Sequence, residues 1–171
     1  MEIIIFGNEL LRQKAEPVKD FNRELKTFLE NFLNTMRKEK GIGLAGPQVG
    51  FMKRIFAVQT EKDVPLVFIN PSIVETSQEM VKYEEGCLSI PKVWAEITRP
   101  ETVRVQAWNE RGRPFTLEAE GILARAVLHE YDHLEGILFI DRLSELKRNK
   151  LIAKFEKIRA LGYADTVCGK P

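Results

Sequence analysis

Gly121-Ile-Leu-Ala-Arg-Ala-Val-Leu-His-Glu-Tyr-Asp-His-Leu-Glu-Gly136 is the stretch around which the chain's architecture is read. Leu123, Val127 and Leu134 recur at roughly helical spacing between two flanking glycines, which predicts an amphipathic helix. Within it stands His129-Glu130-Tyr131-Asp132-His133. Residues four apart lie one turn above each other, so His129 and His133 can present two imidazoles to one divalent metal, with Glu130 beside them as a carboxylate base. They are also the only two histidines in the chain. A catalytic metal site usually has three protein ligands and an open position for water. The helix supplies two, so the third has to come from elsewhere.

Composition narrows the classes of function. The chain has 171 residues, 44% hydrophobic and 30% charged, with a formal net charge of +1. That length suits one domain with its own core, expected over residues 1–171 with a loose tail from about residue 162. The charge balance gives no signal for nucleic acid or a membrane surface. No apolar run reaches the length of a membrane span, and the N-terminus lacks the pattern of a cleavable signal or transit segment. A cytoplasmic protein is expected, with Cys87 and Cys168 as free thiols or metal ligands.

Outward from the motif, Leu25, Phe28, Leu29, Phe32, Leu33 and Met36 form one stripe of an amphipathic helix over about 22–40. Asp20 or Asn22 is positioned to cap its start and Gly41 its end. Residues 2–6 read as a short strand, and residues 137–140 as a short strand or an extended continuation. Arg54–Gln59, Pro65–Asn70 (extended by residues 71–74), Val93–Thr98, Thr102–Trp108 and Phe115–Ala119 also read as strands, the last two joined by a hairpin at Asn109–Gly112. A final helix spans about 144–161. Its Leu151, Phe155 and Ile158 point inward, and its Lys147, Arg148, Lys150, Lys154, Lys157 and Arg159 form a basic solvated face.

Two loops carry further chemistry. Gly41-Ile-Gly-Leu-Ala-Gly-Pro-Gln-Val-Gly50 cannot be a regular helix. It lets backbone approach a ligand closely, and Gln48 adds an amide able to donate to a developing oxyanion. In Glu85-Gly-Cys-Leu-Ser89, Cys87 is the leading candidate for the missing third ligand. Two other readings stay open at this point. One is an HExxH zinc endopeptidase using Glu135 or Glu145; the other is a structural metal module closed by Cys168.

Gly41-Ile-Gly-Leu-Ala-Gly-Pro-Gln48, Glu85-Gly-Cys-Leu-Ser89 and His129-Glu-Tyr-Asp-His133-Leu together closely resemble the three signature motifs of the peptide deformylases, in the same order. Leu10-Leu-Arg12 and Ala15-Glu-Pro-Val18 extend the resemblance over nearly the whole chain. It implies an α+β fold, with antiparallel or mixed β-sheets packed around the central HExxH helix between an N-terminal amphipathic helix and a C-terminal helix. It also implies removal of the formyl group from N-formyl-methionyl nascent peptides, with release of formate. Cys87, His129 and His133 would hold the metal and Glu130 would be the general acid/base. Gln48 and the Leu88 N–H would hold the carbonyl oxygen, and Ile42, Gly43, Leu44, Glu85, Gly86, Ile122 and Ala126 would bind substrate. The implied metal is Fe²⁺, with Zn²⁺, Ni²⁺ or Co²⁺ as substitutes, and the basic last helix is a candidate ribosome contact. Gly46 and Leu128 depart from the family pattern, where Ala and Gln are common. Arg125 stands on the motif helix near the pocket with no partner that the sequence names.

Overall fold

The computed structural model describes residues 1–60 and 64–162. Cys168 and the expected tail beyond Gly162 lie outside the described residues. In chain order the elements are α1 (Arg23–Lys38), β1 (Gly43–Ala45), β2 (Ile55–Val58), β3 (Leu66–Thr76), β4 (Met80–Cys87), β5 (Ile90–Pro100), β6 (Thr102–Trp108), β7 (Pro114–Glu120), α2 (Gly121–Leu134) and α3 (Glu145–Ala160). Short 3₁₀ turns occupy Glu9–Arg12, Gly46–Val49 and Phe139–Arg142.

One antiparallel sheet has the order β1-β2-β3-β6-β7, and β4 and β5 form a separate hairpin. The β2 strand, Ile55-Phe-Ala-Val58, is buried on both faces, which is why it reads as a continuous apolar run. Ile55 and Ala57 face the α1 stripe of Leu25, Leu29, Phe32 and Met36. Phe56 and Val58 face Ala124, Val127 and Leu134 of α2 on the other side. A third cluster joins Ile90, Val93 and Ile97 of β5 to Phe139 and to Phe155 of α3. The HExxH helix is therefore held between the large sheet and the hairpin. This is the expected α+β arrangement.

Several local expectations are settled or corrected. The helix α1 is capped by Asn22, whose Oδ1 accepts from Leu25 N at 2.9 Å. At its other end Lys40, not Gly41, adopts the left-handed conformation, with φ 55°. Lys40 N bonds Arg37 O and Gly41 N bonds Met36 O, the paired bonds of a Schellman end. Residues 2–6 are not a strand; they meet the core through single bonds from Ile4 N to Gln48 O and from Phe6 N to Ser89 O. Residues 137–140 are not a strand either, because Asp141 Oδ2 accepts from Leu138 N at 2.8 Å and curls the chain into a 3₁₀ turn. The glycine-rich loop contains a strand, β1, before its own 3₁₀ turn. The β3 strand does run through Pro71, across a register shift where Asn70 takes φ 49°.

The end of α2 is fixed as tightly as its middle. Gly136, at φ 72°, lies where any Cβ would collide with the Arg12 carbonyl. Its N–H bonds His133 O, and Ile137 N bonds Asp132 O. The last turn, which carries His133, is closed by the same Schellman pairing.

Candidate metal centre and active-site cleft

The sulfur of Cys87 and one ring nitrogen each of His129 and His133 all lie within 4.8 Å of one another. Cys87 arrives at the tip of the β4–β5 hairpin, where it pairs with Ile90, and the histidines arrive one turn apart on α2. Cys87 Sγ is 3.3 Å from His133 Nε2. Tetrahedral bonding of a thiolate and an imidazole to one first-row ion puts S and N about 3.5 Å apart, given bond lengths near 2.3 and 2.0 Å. The donor set and its spacing fit a divalent cation with one coordination position left open. Glu135 is no competing ligand, since Arg54 Nη1 at 2.6 Å and Lys14 Nζ at 3.4 Å hold its carboxylate. Glu145 opens α3 and is not part of the group.

The two imidazoles are held differently. His129 Nδ1 is 3.0 Å from Glu85 Oε2, which turns Nε2 toward the cluster. His133 Nδ1 is buried with no hydrogen-bond partner among the described residues. Burial opposes charge on both rings. In His129, bonds to Cys87 and Glu85 overcome it and hold the pKa well above its ordinary value. In His133, burial with the neighbouring cations pushes it well below. Ligation needs every donor atom free of its proton, so binding of a cation by Cys87, His129 and His133 is coupled to proton release.

Glu85 was expected to line the substrate pocket. It does border the cleft, but its side chain is 5% exposed and its carboxylate is fully engaged. Arg99 donates through Nε at 2.6 Å to Oε1 and through Nη2 at 3.0 Å to Oε2, and Arg125 Nη1 adds a bond at 2.6 Å to Oε1. Burial works to raise this carboxyl, but the bonds from His129 and Arg99 outweigh it and hold the group well below the usual carboxylate range. Behind it, Arg99 Nη1 reaches Asp132 Oδ2 at 2.8 Å, and Arg142 grips both oxygens of Asp132. Sequence reading missed Arg99, Asp132 and Arg142. The one available signal was Arg99's place two residues beyond Ile97 on the inward face of β5.

Glu130 is the opposite case. It is 4% exposed, its Oε2 is buried without a partner among the described residues, and burial lifts its carboxyl to about 7. Gly43 is required opposite it, because a Cβ there would stand 2.7 Å from Glu130 Cγ. The Gln48 amide is pinned, with Oε1 accepting from Ala45 N at 2.8 Å. Its Nε2 therefore faces Cys87 Sγ at 3.4 Å and the buried Ser89 Oγ at 3.2 Å. Gly46, one of the departures from the family pattern, leaves no space for a side chain: its Cβ would meet Phe51 O at 2.5 Å.

A cleft of about 400 Å³ opens onto these groups. Ile42, Gly43, Gln48, Glu85, Gly86, Cys87, Leu88, Ile122, Ala126, His129 and Glu130, all singled out from the sequence, border it. Leu44 does not, since its side chain is fully buried against α1. Ile42 O accepts from Gln59 N at 2.7 Å, so by antiparallel alternation Ile42 and Leu44 turn their backbone groups toward β2. Gly43 turns its own toward the open edge. Of the backbone expected to bind a peptide, Gly43 carries the free pair.

The sequence profile of polypeptide deformylases matches residues 1–149. The chain belongs to the peptide deformylase family. The peptide deformylase of Treponema pallidum is 43% identical over 159 residues, covering 93% of this chain and 98% of that protein. The Clostridium botulinum peptide deformylase is 49% identical over 140 residues, covering 82% and 94%. Among solved structures, the Synechococcus elongatus peptide deformylase in complex with actinonin superposes with a TM-score of 0.87 at 42% identity, over 90% of this chain and 86% of that one. Peptide deformylases are hydrolases that use a divalent metal, and the Cys87–His129–His133 group is where this chain can hold one. The endopeptidase reading is not favoured.

Proposed function

We propose that this deformylase removes the formyl group from the N-terminal formylmethionine of newly made proteins, using Cys87, His129 and His133 to hold the metal. The observation that carries the assignment of roles is the unpartnered Glu130 oxygen beside those three donors, in the same cleft as the open Gly43 edge. A divalent cation held there would acidify a water and polarise the formyl oxygen. Gly43 pairs with the extended peptide as an added strand, and Ile42, Ile122 and Ala126 flank the methionine side chain. Glu130 takes the proton of the attacking water and returns it to the departing nitrogen, leaving formate and a free amine. Gln48 Nε2 and the Leu88 N–H, at the corner of the β4–β5 turn, meet the charge that develops on the formyl oxygen.

Two imidazoles and a thiolate bind zinc more tightly than ferrous iron, yet the resemblance supports Fe²⁺ as the working ion, with Zn²⁺, Ni²⁺ and Co²⁺ as substitutes. The deciding experiment is formate release from a formyl-Met peptide by anaerobically prepared, Fe²⁺-loaded protein, beside identically loaded Glu130→Ala. Formate from the first and almost none from a variant that retains metal is the expected result. No formate from fully metallated wild type overturns the proposal.

We also place the enzyme in the cytoplasm. Among the described residues no helix is long and apolar enough to cross a membrane. The exposed Lys147, Lys150, Lys154 and Lys157 of α3 support ribosome docking. Co-sedimentation with ribosomes that survives charge reversal at all four would refute it.

A further inference from the structure

One charged residue on the cleft wall has no part in the scheme above. Arg125 lies between Ile122 and His129 on the stripe of α2 that faces the cleft, with Ala126 beside it. Its guanidinium spans to the β4–β5 hairpin: Nη1 donates to Glu85 Oε1 at 2.6 Å and to Ile97 O at 3.0 Å, and Nη2 to Val81 O at 2.8 Å. The Tyr83 ring lies over it at 5.6 Å. Three acceptors on two strands fix the guanidinium plane, and the side chain is 11% exposed.

Two cations thus converge on Glu85, from different sides. Arg99, 2% exposed, reaches it from the interior through both oxygens. Arg125 reaches it from the cleft. The Glu85 oxygen that Arg125 leaves alone, Oε2, is the one that receives His129 Nδ1. Arg99 Nη2 shares that oxygen, so Arg99 and Arg125 together set the tilt of the carboxylate and with it the orientation of the His129 ring. Arg99 alone would already satisfy the charge. What Arg125 adds is a mechanical link between the wall of the substrate pocket and a metal-ligating imidazole.

We propose that Arg125 is a positioning residue for His129, acting through Glu85, and that it makes the fit of the substrate's first side chain felt at the metal site. A side chain that fills the pocket packs against the guanidinium and holds it on Glu85; one too short to touch it does not. Discrimination between first residues then falls on kcat more than on KM, because the contact acts on the geometry of the reacting centre rather than on binding alone. The substrate half of this inference rests on the deformylase reading. The hold on His129 does not.

The test compares wild type with Arg125→Met and Arg125→Gln, each loaded with Co²⁺. The visible absorption of the bound ion and its rate of loss to EDTA report on the imidazole without any substrate. Altered absorption and about tenfold faster loss are expected in both variants, the lower end of what removal of a ligand's supporting partner costs. With formyl-Met and formyl-Ala peptides, kcat for formyl-Met is expected to fall about tenfold while its KM moves less than about threefold, and the kcat gap between the peptides to narrow. Should Arg125→Met not fold, Arg125→Gln carries the comparison, since it keeps an N–H donor and much of the volume. Absorption and loss rate identical to wild type overturn the hold on His129; an effect confined to KM overturns the coupling. A metallated wild type that releases no formate would refute the deformylase reading, while absorption and EDTA loss would still decide the hold on His129.

Discussion

Two buried carboxylates flank His129, and they are opposites. Glu85, on β4, takes four hydrogen bonds from Arg99, Arg125 and His129 and stays ionised well below the usual carboxylate range. Glu130, the next residue along α2, keeps one oxygen without a partner among the described residues, and burial lifts it to about 7. Similar burial gives opposite chemistry because one group is surrounded by donors and the other by almost none. A saturated carboxylate cannot exchange protons near neutrality, but it can hold a ring still. A carboxylate with a pKa near the working pH suits proton transfer. On the proposed mechanism the site separates the work of positioning from the work of reaction, and each half can be attacked separately.

The largest expected effect comes from the reactive half. Glu130→Gln keeps the shape but loses the base, so kcat should fall by about 10²–10⁴-fold. Metal content, measured by elemental analysis, should stay at the wild-type level. Loss of metal along with activity would mean that Glu130 also holds the site together, and the division of labour would fail.

Glu85→Gln attacks the positioning half. It leaves the cations of Arg99 and Arg125 with no anion between them. Removing one partner of a buried ion pair costs about 3–5 kcal/mol, and loss of the carboxylate behind a ligating histidine weakens metal binding about 10–100-fold. Chemical denaturation and competition with a chelator measure the two. Metal affinity equal to wild type would show that His129 does not depend on Glu85.

How far this division was legible in the sequence depends on the range of each interaction. The HExxH helix, the α1 stripe and the β6–β7 hairpin were readable because their signals are local periods of 3.6 and 2. The place of Glu130 in the cleft was readable from its position beside His129. The role of Glu85 was not, since it arises from Arg99, 14 residues away on the paired strand, and from Arg125 and His129, 40 and 44 residues away on α2. No spacing encodes a meeting of that kind. The misread segments at 2–6 and 137–140 teach the converse. An apolar run becomes a strand only where another strand is there to pair with it; here one segment found isolated carbonyls and the other an Asp141 cap.

A subtler attack falls where the reactive half meets the substrate edge. In Gly43→Ala the new methyl would stand within 2.8 Å of Glu130 Cδ, so either β1 or the carboxylate has to move. Misplacement of a catalytic group by an ångström costs about 10²-fold; with some relief from the β1 edge, a kcat loss of about 10–100-fold is expected. Metal affinity should hold, because Glu85 is untouched. A variant of full activity would mean that the Glu130 position seen here is not the working one.

The smallest effect sets the baseline for the others. Asn22 caps α1 by accepting from Leu25 N, and its loss in Asn22→Ala should cost about 1 kcal/mol of stability. The helix it caps packs Leu25, Leu29, Phe32 and Met36 on the face of the sheet opposite α2. A general softening of the fold would therefore reach the metal site through β1 and β2 and through Leu88, which packs against the same cluster. Denaturation should show the loss, while kcat and the rate of metal loss to EDTA stay within about twofold of wild type, as expected for distant sites that share no partners. If Asn22→Ala instead loosened the metal as Glu85→Gln does, faster metal loss would be a symptom of lower stability, and Glu85 could no longer be credited with a specific hold on His129.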